Sequence, residues 1–383
     1  SSSETCTPSG IAALHDNSDK TYAAEHAING MYYDNLEHLG YAVPESFGLK
    51  NFKNTADIEI NILRWWQHRI FRNSGVSADG TEIYLDTDWL TSLQSTAYSD
   101  RITWIENAYE FIDQPGEWYL NRSESKLYYK PDGSMDGKSA TLPVTEQLLV
   151  FEGTENITFD GVKFEDTSWL TPNEIGYNDA QSGTYAQHNG VWGDVPGAIE
   201  THAAKNITIT NSELRNLGIG GIRIGNGSSD CAITNSAIHD ISSSGIFIGN
   251  NTGHNHGYCD PGTDVTGVVV RNNYITRTGL DIFGSSAICA LYTSDTVIDH
   301  NEVCYTTYTG ISLGWGWDWK NAPCSGNNTV SNNYIHDTGK TIHDGGSFYS
   351  LGLQEGTKVF GNYLHHHSDG LYDKDGGLYT DEG

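Results

Sequence analysis

Four acidic residues near the end of the chain have the side chains that acid–base chemistry requires. The segment HDGGSFYS (343–350) matches KDGGLYTD (374–381) residue for residue, which predicts that Asp344 stacks on Asp375 about 4.8 Å away if the two segments are neighbouring strands. Asp381 then takes an outward position on the last strand, and Glu382 follows it. Close carboxylates split their pKa values, so one stays protonated while another is ionised. Such a pair is what glycoside hydrolysis needs.

The four carboxylates are therefore the candidate catalytic residues. We favour Asp344 as the acid, because the charge of Asp375 would raise the pKa of one member of the pair. Asp381 is then the ionised partner, and Asp375 and Glu382 shape the protonation of both. Two alternatives remain open: the aspartates only cap a Gly-Gly corner through Asx hydrogen bonds, or the oxygens hold Ca²⁺. No cofactor is required by the hydrolytic interpretation.

Aromatic and histidine side chains near the carboxylates are candidates for substrate binding. The segment GWGWDW places Trp315, Trp317 and Trp319 at period two, hence on one face of an extended chain. That face is either a platform for sugar rings or a packing surface. His343 and Tyr379 lie beside candidate acids in the sequence and are expected to orient a sugar hydroxyl.

Other histidines are interpreted as outward polar residues rather than metal ligands. They are His336 and the run His365, His366 and His367. Alternation along a strand turns neighbouring side chains to opposite faces, so we propose no metal ligand set from the sequence.

A repeated segment from about residue 200 predicts the element that positions these residues. The hexamers ITNSEL, ITNSAI, VRNNYI, IDHNEV, VSNNYI and VFGNYL share a polar fourth position, at spacings of 24, 37, 28, 32 and 29 residues: Ser212, Ser236, Asn273, Asn301, Asn333 and Asn362. Variable spacing excludes a strict-period array and fits a parallel β-helix, whose loops vary while its strands stack.

A second column predicts another strand in each coil. Its stacked second positions are Ile222, Ile246, Ile288, Ile311, Ser347 and Leu378. We therefore predict an all-β chain: a β-rich, sandwich-like module over residues 1–150 and a right-handed parallel β-helix over 151–383. The stretch 172–195 is expected to be a loop between coils. The β-helix is expected to be incomplete at its C-terminal end, so that a further fragment of the polypeptide completes it.

Charge excludes several partners. The chain of 383 residues has 21 Lys plus Arg against 49 Asp plus Glu, a formal net charge of −28, so nucleic acid and anionic membrane surfaces would be repelled. No apolar run is long enough to span a bilayer. The partner predicted from the clustered carboxylates is a carbohydrate substrate.

Sequons and cysteines indicate a secreted, extracellular protein. Asn-X-Ser/Thr sequons predict glycosylation at six positions: Asn121, Asn156, Asn206, Asn226, Asn250 and Asn327. The six cysteines lack CxxC metal spacing, so structural disulfides are expected. These residues are Cys6, Cys231, Cys259, Cys289, Cys304 and Cys324.

Three segments together resemble the right-handed β-helix proteins around glycoside hydrolase family 141. They are ENAYEFIDQPGEWYLNRSESKLYYKP (106–131), HDGGSFYSLGLQEGT (343–357) and GGLYTDEG (376–383). The resemblance implies a β-sandwich-like insertion beside the helix, activity on plant or microbial glycans, and catalytic roles for Asp344 and Asp381.

Two other function classes stay open at this point. A polysaccharide lyase shares the fold but needs a base, for which Arg277, Lys340, Lys374 and Tyr379 are available, and it often needs Ca²⁺. A noncatalytic glycan-binding protein is the third alternative. The clustered carboxylates favour the hydrolase.

Overall fold

The computed structural model describes residues 21–22, 32–34, 39–86, 103–186, 192–249, 263–316, 324–368 and 376–381. The chain divides into two compact units. The first comprises Ser1–Leu63, Arg69–Thr141 and Thr171–Asn178, and the second comprises Arg64–His68, Leu142–Leu170 and Asp179–Gly383. None of the helices in the described part of the chain is long and apolar enough to cross a membrane.

Antiparallel strands dominate the N-terminal part of the chain. The strands are β1 (Thr21–Tyr22), β2 (Tyr32–Asp34), β3 (Leu39–Ala42), β4 (Glu59–Arg64), β5 (Gln67–Val76), β6 (Glu82–Leu85), β7 (Trp104–Glu106), β8 (Trp118–Asn121) and β9 (Lys126–Tyr129). Single-turn 3-10 helices lie at Glu45–Phe47, Leu49–Asn51, Thr55–Asp57 and Tyr109–Phe111. β3 pairs with β2 and β6, β7 pairs with β1 and β4, and β8 pairs with β9, all antiparallel. The predicted antiparallel β-rich module is confirmed.

The next segment begins the coils and forms strands where a loop was predicted. It forms β10 (Leu149–Glu152), β11 (Glu155–Asp160), β12 (Lys163–Thr167), α1 (Thr171–Ile175), β13 (Tyr177–Gln181), β14 (Thr184–Ala186) and β15 (Trp192–Asp194). The prediction of a loop over 172–195 was wrong, because β13, β14 and β15 pair antiparallel. The stretch lacks the apolar alternation that marks a strand in sequence. Its strands instead bury polar side chains, among them Asn178, Asp179 and Gln181.

The remaining strands complete three parallel sheets. They are β16 (Gly197–His202), β17 (Lys205–Thr210), β18 (Glu213–Leu217), β19 (Gly220–Gly225), β20 (Ala232–Thr234), β21 (Ala237–Ile241), β22 (Ile246–Ile248), β23 (Val265–Thr266), β24 (Val269–Arg271), β25 (Tyr274–Thr278), β26 (Ile288–Ala290), β27 (Thr293–Ser294), β28 (Val297–Asp299), β29 (Glu302–Cys304), β30 (Ile311–Leu313), β31 (Thr329–Ser331), β32 (Tyr334–Thr338), β33 (Gly346–Leu351), β34 (Lys358–Phe360), β35 (Tyr363–His367) and β36 (Gly376–Asp381).

Each of the seven coils from β10 to β35 contributes one strand to each of the three sheets, and β36 adds an eighth strand to the first sheet. The first sheet has the order β10-β16-β19-β22-β26-β30-β33-β36, the second β11-β17-β20-β24-β28-β31-β34, and the third β12-β18-β21-β25-β29-β32-β35. β23 and β27 form a separate two-stranded sheet. All of these pairings are parallel, so residues from successive coils lie one strand spacing apart, about 4.8 Å.

Columns of aliphatic side chains fill the space between the sheets. In the first sheet, register places Ile222, Ile246, Ile288 and Ile311 in one file, each at most 1% exposed. Equivalent columns run through Ile233 and Val270 in the second sheet and through Ile238 and Ile275 in the third. Burying each such side chain contributes roughly 1.5–3 kcal/mol, so these columns hold the coils together.

The predicted register of the last two strands of the first sheet was wrong by one residue. Phe348, not Ser347, pairs with Ile311, and Phe348 pairs with Leu378. Matching the two Gly-Gly pairs would have put Ser347 in the apolar column. A shift of one residue turns every side chain to the other face, and burial of the larger apolar side chain decides the register.

The predicted polar column is confirmed as a hydrogen-bonded ladder. The backbone N–H of Asn273 donates to Oδ1 of Asn301 (3.1 Å), and that of Asn301 donates to Oδ1 of Asn333 (2.9 Å). Asn333 bonds Asn362 in the same way at 2.9 Å. Ser212 donates to Oγ of Ser236 at 3.1 Å. The ladder satisfies buried backbone donors at the corner between the second and third sheets.

Candidate functional site

Asp344 lies in the turn that leads into β33. Its backbone has φ of 60°, and Gly345 follows it. A Cβ at Gly345 would lie 2.7 Å from Thr309 Oγ1 and 2.8 Å from Cε2 of Tyr308, so only glycine lets the Tyr308 ring pack against this backbone. The Tyr308 hydroxyl donates to the carbonyl oxygen of Asp344 at 3.0 Å. The half-buried Asp344 is therefore held from below by a tyrosine that is 1% exposed.

Two further tyrosines hold the candidate carboxylates. Tyr349 on β33 and Tyr379 on β36 are register partners, and their rings meet edge to face with centroids 5.3 Å apart. The Tyr349 hydroxyl donates to Oδ2 of Asp381 at 2.8 Å, and the Tyr379 hydroxyl donates to Oδ1 of Asp344 at 3.3 Å. Each carboxylate thus has its own phenol donor, and the two phenols are in contact.

The phenols are protonated donors at neutral pH. Burial, followed by the charges of Asp344 and Asp381, raises the pKa of Tyr379 to about 12. Burial is also the main cause that raises the pKa of Tyr349, with further contributions from Tyr308 and Asp381. The charges of both carboxylates therefore act on Tyr379.

Sequence reasoning missed Asp179 and Gln181, both of which lie on β13. Nε2 of Gln181 donates to the Tyr349 hydroxyl at 3.2 Å. Asp179 is 1% exposed and accepts a hydrogen bond from the backbone N–H of His68 at 3.3 Å. After burial, the charges of Asp344 and Asp179 raise the pKa of Tyr308. The only signal in the sequence was an unusual run of polar residues, YNDAQ, without apolar alternation.

These contacts define a tyrosine–carboxylate cluster. Its members are Asp179, Gln181, Tyr308, Asp344, Tyr349, Tyr379 and Asp381. It contains three carboxylates, one of them fully buried, together with three neutral phenols. An array of this kind can hold one carboxyl protonated and another ionised in the same site.

A buried ion-pair set lies further along the outward face of the first sheet. Register places Arg223 beside Glu200 and Phe247. Its guanidinium contacts Glu200 at 2.9 Å and Asp194 at 2.6 Å, and it lies over the Phe247 ring. All three charged side chains are nearly buried, so the guanidinium offsets two carboxylate charges that would otherwise be costly.

The prediction that Trp315 forms part of a platform for sugar rings was wrong. Its side chain is 2% exposed and packs in an apolar cluster with Phe247, Tyr292, Tyr349 and Leu351. It therefore supports the wall of the first sheet and cannot stack on a sugar ring. Trp317 and Trp319 lie outside the described residues, as do Asp375 and Glu382.

His343 is oriented by its neighbours. Its backbone N–H donates to the carbonyl of Trp65 at 2.8 Å, and its Nδ1 lies 3.5 Å from the Ser368 hydroxyl. The predicted stacking of Asp344 on Asp375 required Gly345 to pair with Gly376. In the observed register Gly346 pairs with Gly376, so the basis of that prediction was wrong.

The expected disulfide framework is not supported at three of the six cysteines, whereas Cys324 is disulfide-bonded. Cys231, Cys289 and Cys304 are buried free thiols, and burial raises the pKa of all three thiols. Cys289 packs as a small apolar group in the cluster that contains Phe247 and Tyr349, and Cys304 is the register partner of His336 in the third sheet. Cys6 and Cys259 lie outside the described residues.

The sequons differ in accessibility. Asn121 is 4% exposed, and its Oδ1 accepts hydrogen bonds from Ser123 and Glu124, so glycosylation at this position is wrong for the folded protein. Asn156, Asn206, Asn226 and Asn327 are exposed, and Asn250 lies outside the described residues. Glycosylation at the exposed sequons stays a prediction.

Comparison with known proteins identifies the fold. The family described as right handed beta helix region matches residues 197–381. A solved structure described as a glycoside hydrolase superposes with a TM-score of 0.73 at 21% identity, covering 95% of this chain and 75% of that chain. The fold is a right-handed parallel β-helix. At this identity the likeness shows the fold and not the reaction.

Two other solved structures match with lower scores. The structure of XylC with xylose has a TM-score of 0.39 at 12% identity, covering 94% of this chain and 53% of that one. The alginate lyase from Paenibacillus sp. str. FPU-7 has a TM-score of 0.30 at 16% identity, covering 59% and 73%. At these TM-scores the two structures support no conclusion about this chain. No curated protein matches the chain.

Proposed function

We propose that this β-helix protein is a glycoside hydrolase acting on a plant or microbial glycan. The observation that carries the proposal is the pair Asp344 and Asp381, two half-buried carboxylates that each accept a hydrogen bond from a neutral tyrosine of the same site. The solved glycoside hydrolase of similar fold supports this choice. Membership of glycoside hydrolase family 141, and export of the chain, are parts of the same proposal.

The surroundings of the two carboxylates favour different protonation states. Tyr349 donates to Asp381 over the shorter distance, 2.8 Å against 3.3 Å for Tyr379 and Asp344, and a stronger donor favours the ionised form. The longer hydrogen bond from Tyr379 gives the ionised form of Asp344 less stabilisation. We therefore assign Asp344 as the acid and Asp381 as the ionised partner.

The proposed reaction balances with these two groups. Asp344 gives its proton to the glycosidic oxygen while the bond from that oxygen to the anomeric carbon breaks, and the bonding electrons leave with the oxygen. Asp381 acts as the base that takes a proton from the attacking water, or as the nucleophile that forms a glycosyl ester which water then hydrolyses. Asp375, Glu382 and His343 are proposed to support this pair.

Three of the four candidate bases for a lyase are poorly suited to that role, and the fourth, Lys374, lies outside the described residues. Tyr379 has a pKa of about 12, so its phenolate is scarce at neutral pH. Arg277 forms an ion pair with Asp240, and Lys340 with Asp337 at 3.0 Å. Both cations are thereby paired with carboxylates, whereas a lyase needs one beside the uronate.

Asn substitution tests the proposal. Asp344→Asn and Asp381→Asn keep the shape of the side chain and remove its titration, so each should lower kcat by at least about 10²-fold, measured as reducing sugar released from a panel of plant and microbial glycans. The matched control is Asp160→Asn, because Asp160 is exposed on β11 and only accepts a hydrogen bond from Asn211. It should keep full activity.

The other function classes give different results in the same assay. A lyase would release product with the ultraviolet absorbance of an unsaturated uronate, and a Ca²⁺-dependent enzyme would lose activity in a chelator. A noncatalytic protein would bind glycans without releasing reducing sugar. Near-normal turnover by either aspartate variant would remove that residue from the catalytic pair.

A further inference from the structure

A cluster of potential metal ligands lies on the outer face of the third sheet. Cys304 on β29 and His336 on β32 are register partners, and Glu302 lies two residues before Cys304 on the same face. One ligand atom from each of Glu302, Cys304 and His336 lies within 4.8 Å of the other two. The sequence alone does not reveal this arrangement, because the ligands come from two adjacent coils.

The imidazole of His336 is held in a ligating orientation. Its Nδ1 lies 2.8 Å from Oδ2 of Asp337, and its Nε2 lies 3.5 Å from Oε1 of Glu302. Asp337 has φ of 52°, which turns its side chain to the same side as the preceding histidine instead of the opposite one. Histidine ligands usually donate their second ring N–H to a carboxylate, so Asp337 would leave Nε2 free to bind a metal.

Two hydroxyl groups lie beside the sulfur of Cys304. The residue is 1% exposed, and its sulfur lies 3.4 Å from the Thr276 hydroxyl and 3.8 Å from the Tyr274 hydroxyl. In the free protein the thiol donates its proton to these oxygens. Once a metal replaces that proton, both hydroxyls can reverse their roles and donate to the sulfur. The thiolate would therefore have two donors without any rearrangement of the coils.

The same frame recurs three coils earlier with a cation in place of the thiol. His239 contacts Asp240 at 2.7 Å through Nδ1 and Glu213 at 3.2 Å through Nε2. Its register partner in the preceding coil is Arg215, whose guanidinium lies 3.8 Å from Glu213.

The position of Arg215 relative to His239 is the position of Cys304 relative to His336. The carboxylate–imidazole frame thus holds a positive charge in one coil and a neutral thiol in the other.

We propose that Glu302, Cys304 and His336 form a binding site for Zn²⁺ or a related divalent transition metal. Thiolate, imidazole and carboxylate are ligands that Zn²⁺ accepts, and three protein ligands leave a fourth position for water. Ca²⁺ prefers oxygen ligands only. Tetrahedral Zn²⁺ places ligand atoms about 3.5 Å apart, so the half-exposed Glu302 side chain would move inward on binding. The site goes beyond the proposed hydrolase function and does not depend on it.

Cobalt titration tests the site directly. The metal-stripped full chain should bind one equivalent of Co²⁺ with a thiolate-to-cobalt charge-transfer absorption, and Zn²⁺ should displace it. Cys304→Ser should abolish that absorption, and Asp337→Asn should weaken binding about 10- to 100-fold. His239→Gln is the matched control, because it changes the same frame where no thiol is present. It should keep both the absorption and the affinity.

The neighbouring histidine run provides the competing result. Co²⁺ bound by the imidazoles of His365, His366 and His367 would show no thiolate absorption and would not respond to Cys304→Ser; that result overturns the proposal, as does the absence of stoichiometric binding. Because Cys304 is buried, Glu302→Gln serves as the second variant. Its side chain is 46% exposed, so the variant should fold normally, as judged by circular dichroism, and bind metal at least about 10-fold more weakly.

Discussion

Asn301→Ala should destabilise the coil stack by about 4 kcal/mol. The Asn301 side chain accepts from the backbone N–H and Nδ2 of Asn273 at 3.1 and 3.0 Å, and donates to Val270 O at 3.0 Å and Asn333 Oδ1 at 2.9 Å. Each net hydrogen bond contributes about 1 kcal/mol. The Asn273 side chain is 3% exposed, so its backbone donor would lose its only ladder acceptor away from water, which makes the loss of this bond costly.

Serine at the same position is the matched comparison. Earlier in the ladder, Ser236 Oγ accepts from the Ser212 backbone N–H at 3.1 Å, so Asn301→Ser should restore that one acceptor and cost about 3 kcal/mol. Urea unfolding monitored by circular dichroism measures the order wild type, serine, alanine. Equal midpoints for the alanine variant and the wild type would refute the view that the ladder stabilises the fold. Equal midpoints for the two variants would show that the backbone donor is satisfied in another way.

Two further predictions concern hydrogen bonds to charged groups. Tyr349→Phe removes the hydrogen bond that Asp381 accepts at 2.8 Å, and a hydrogen bond to a charged group contributes roughly 1.5–3 kcal/mol. The variant should therefore lower kcat/KM by about 10- to 100-fold, and an unchanged kcat/KM would mean that this hydrogen bond does not support catalysis by Asp381. Hydrogen bonding to Asp240, together with Glu213 and against the effect of burial, raises the pKa of His239 above 6.5. Its stabilisation is therefore full below 6.5 and is lost as pH rises through the folded pKa. His239→Gln should cost more unfolding free energy at about pH 5.5 than at about pH 9, and equal losses at both values would contradict this.

The coil stack could be predicted because its signals are periodic and local. The residue before each ladder position has a positive φ in successive coils, for example Asn211, Asn235, Asn272 and Asn332 at 50–55°. Asparagine tolerates this conformation better than most residues. Each corner therefore has two signals in the sequence: a residue that accepts a positive φ and, directly after it, a residue that forms the ladder. Two independent requirements at adjacent positions make the motif visible despite loops of different length.

The site could be predicted only in part, since register and insertion are decided by tertiary packing. Asp344 and Asp381 were found because they flank strands of a repeated motif. The one-residue error at Ser347 arose because Gly-Gly pairs matched, whereas the buried volume of Phe348 decides the pairing. Asp179 and Gln181 reach the cluster from β13, and no local pattern links that strand to residues more than 160 positions away.

The candidate residues on the outward faces of the first and third sheets are brought together by the same stacking of coils. Inward columns such as Ile222, Ile246 and Ile288 are fully buried and hold the fold, so outward positions can change from coil to coil at little cost in stability. A strand spacing of about 4.8 Å brings outward side chains of neighbouring coils into contact, whatever the loop length between them. Arg215 and Cys304 occupy equivalent outward positions in different coils. A single substitution in a repeated frame can therefore convert an ion pair into a ligand set, without altering the columns that maintain the coils.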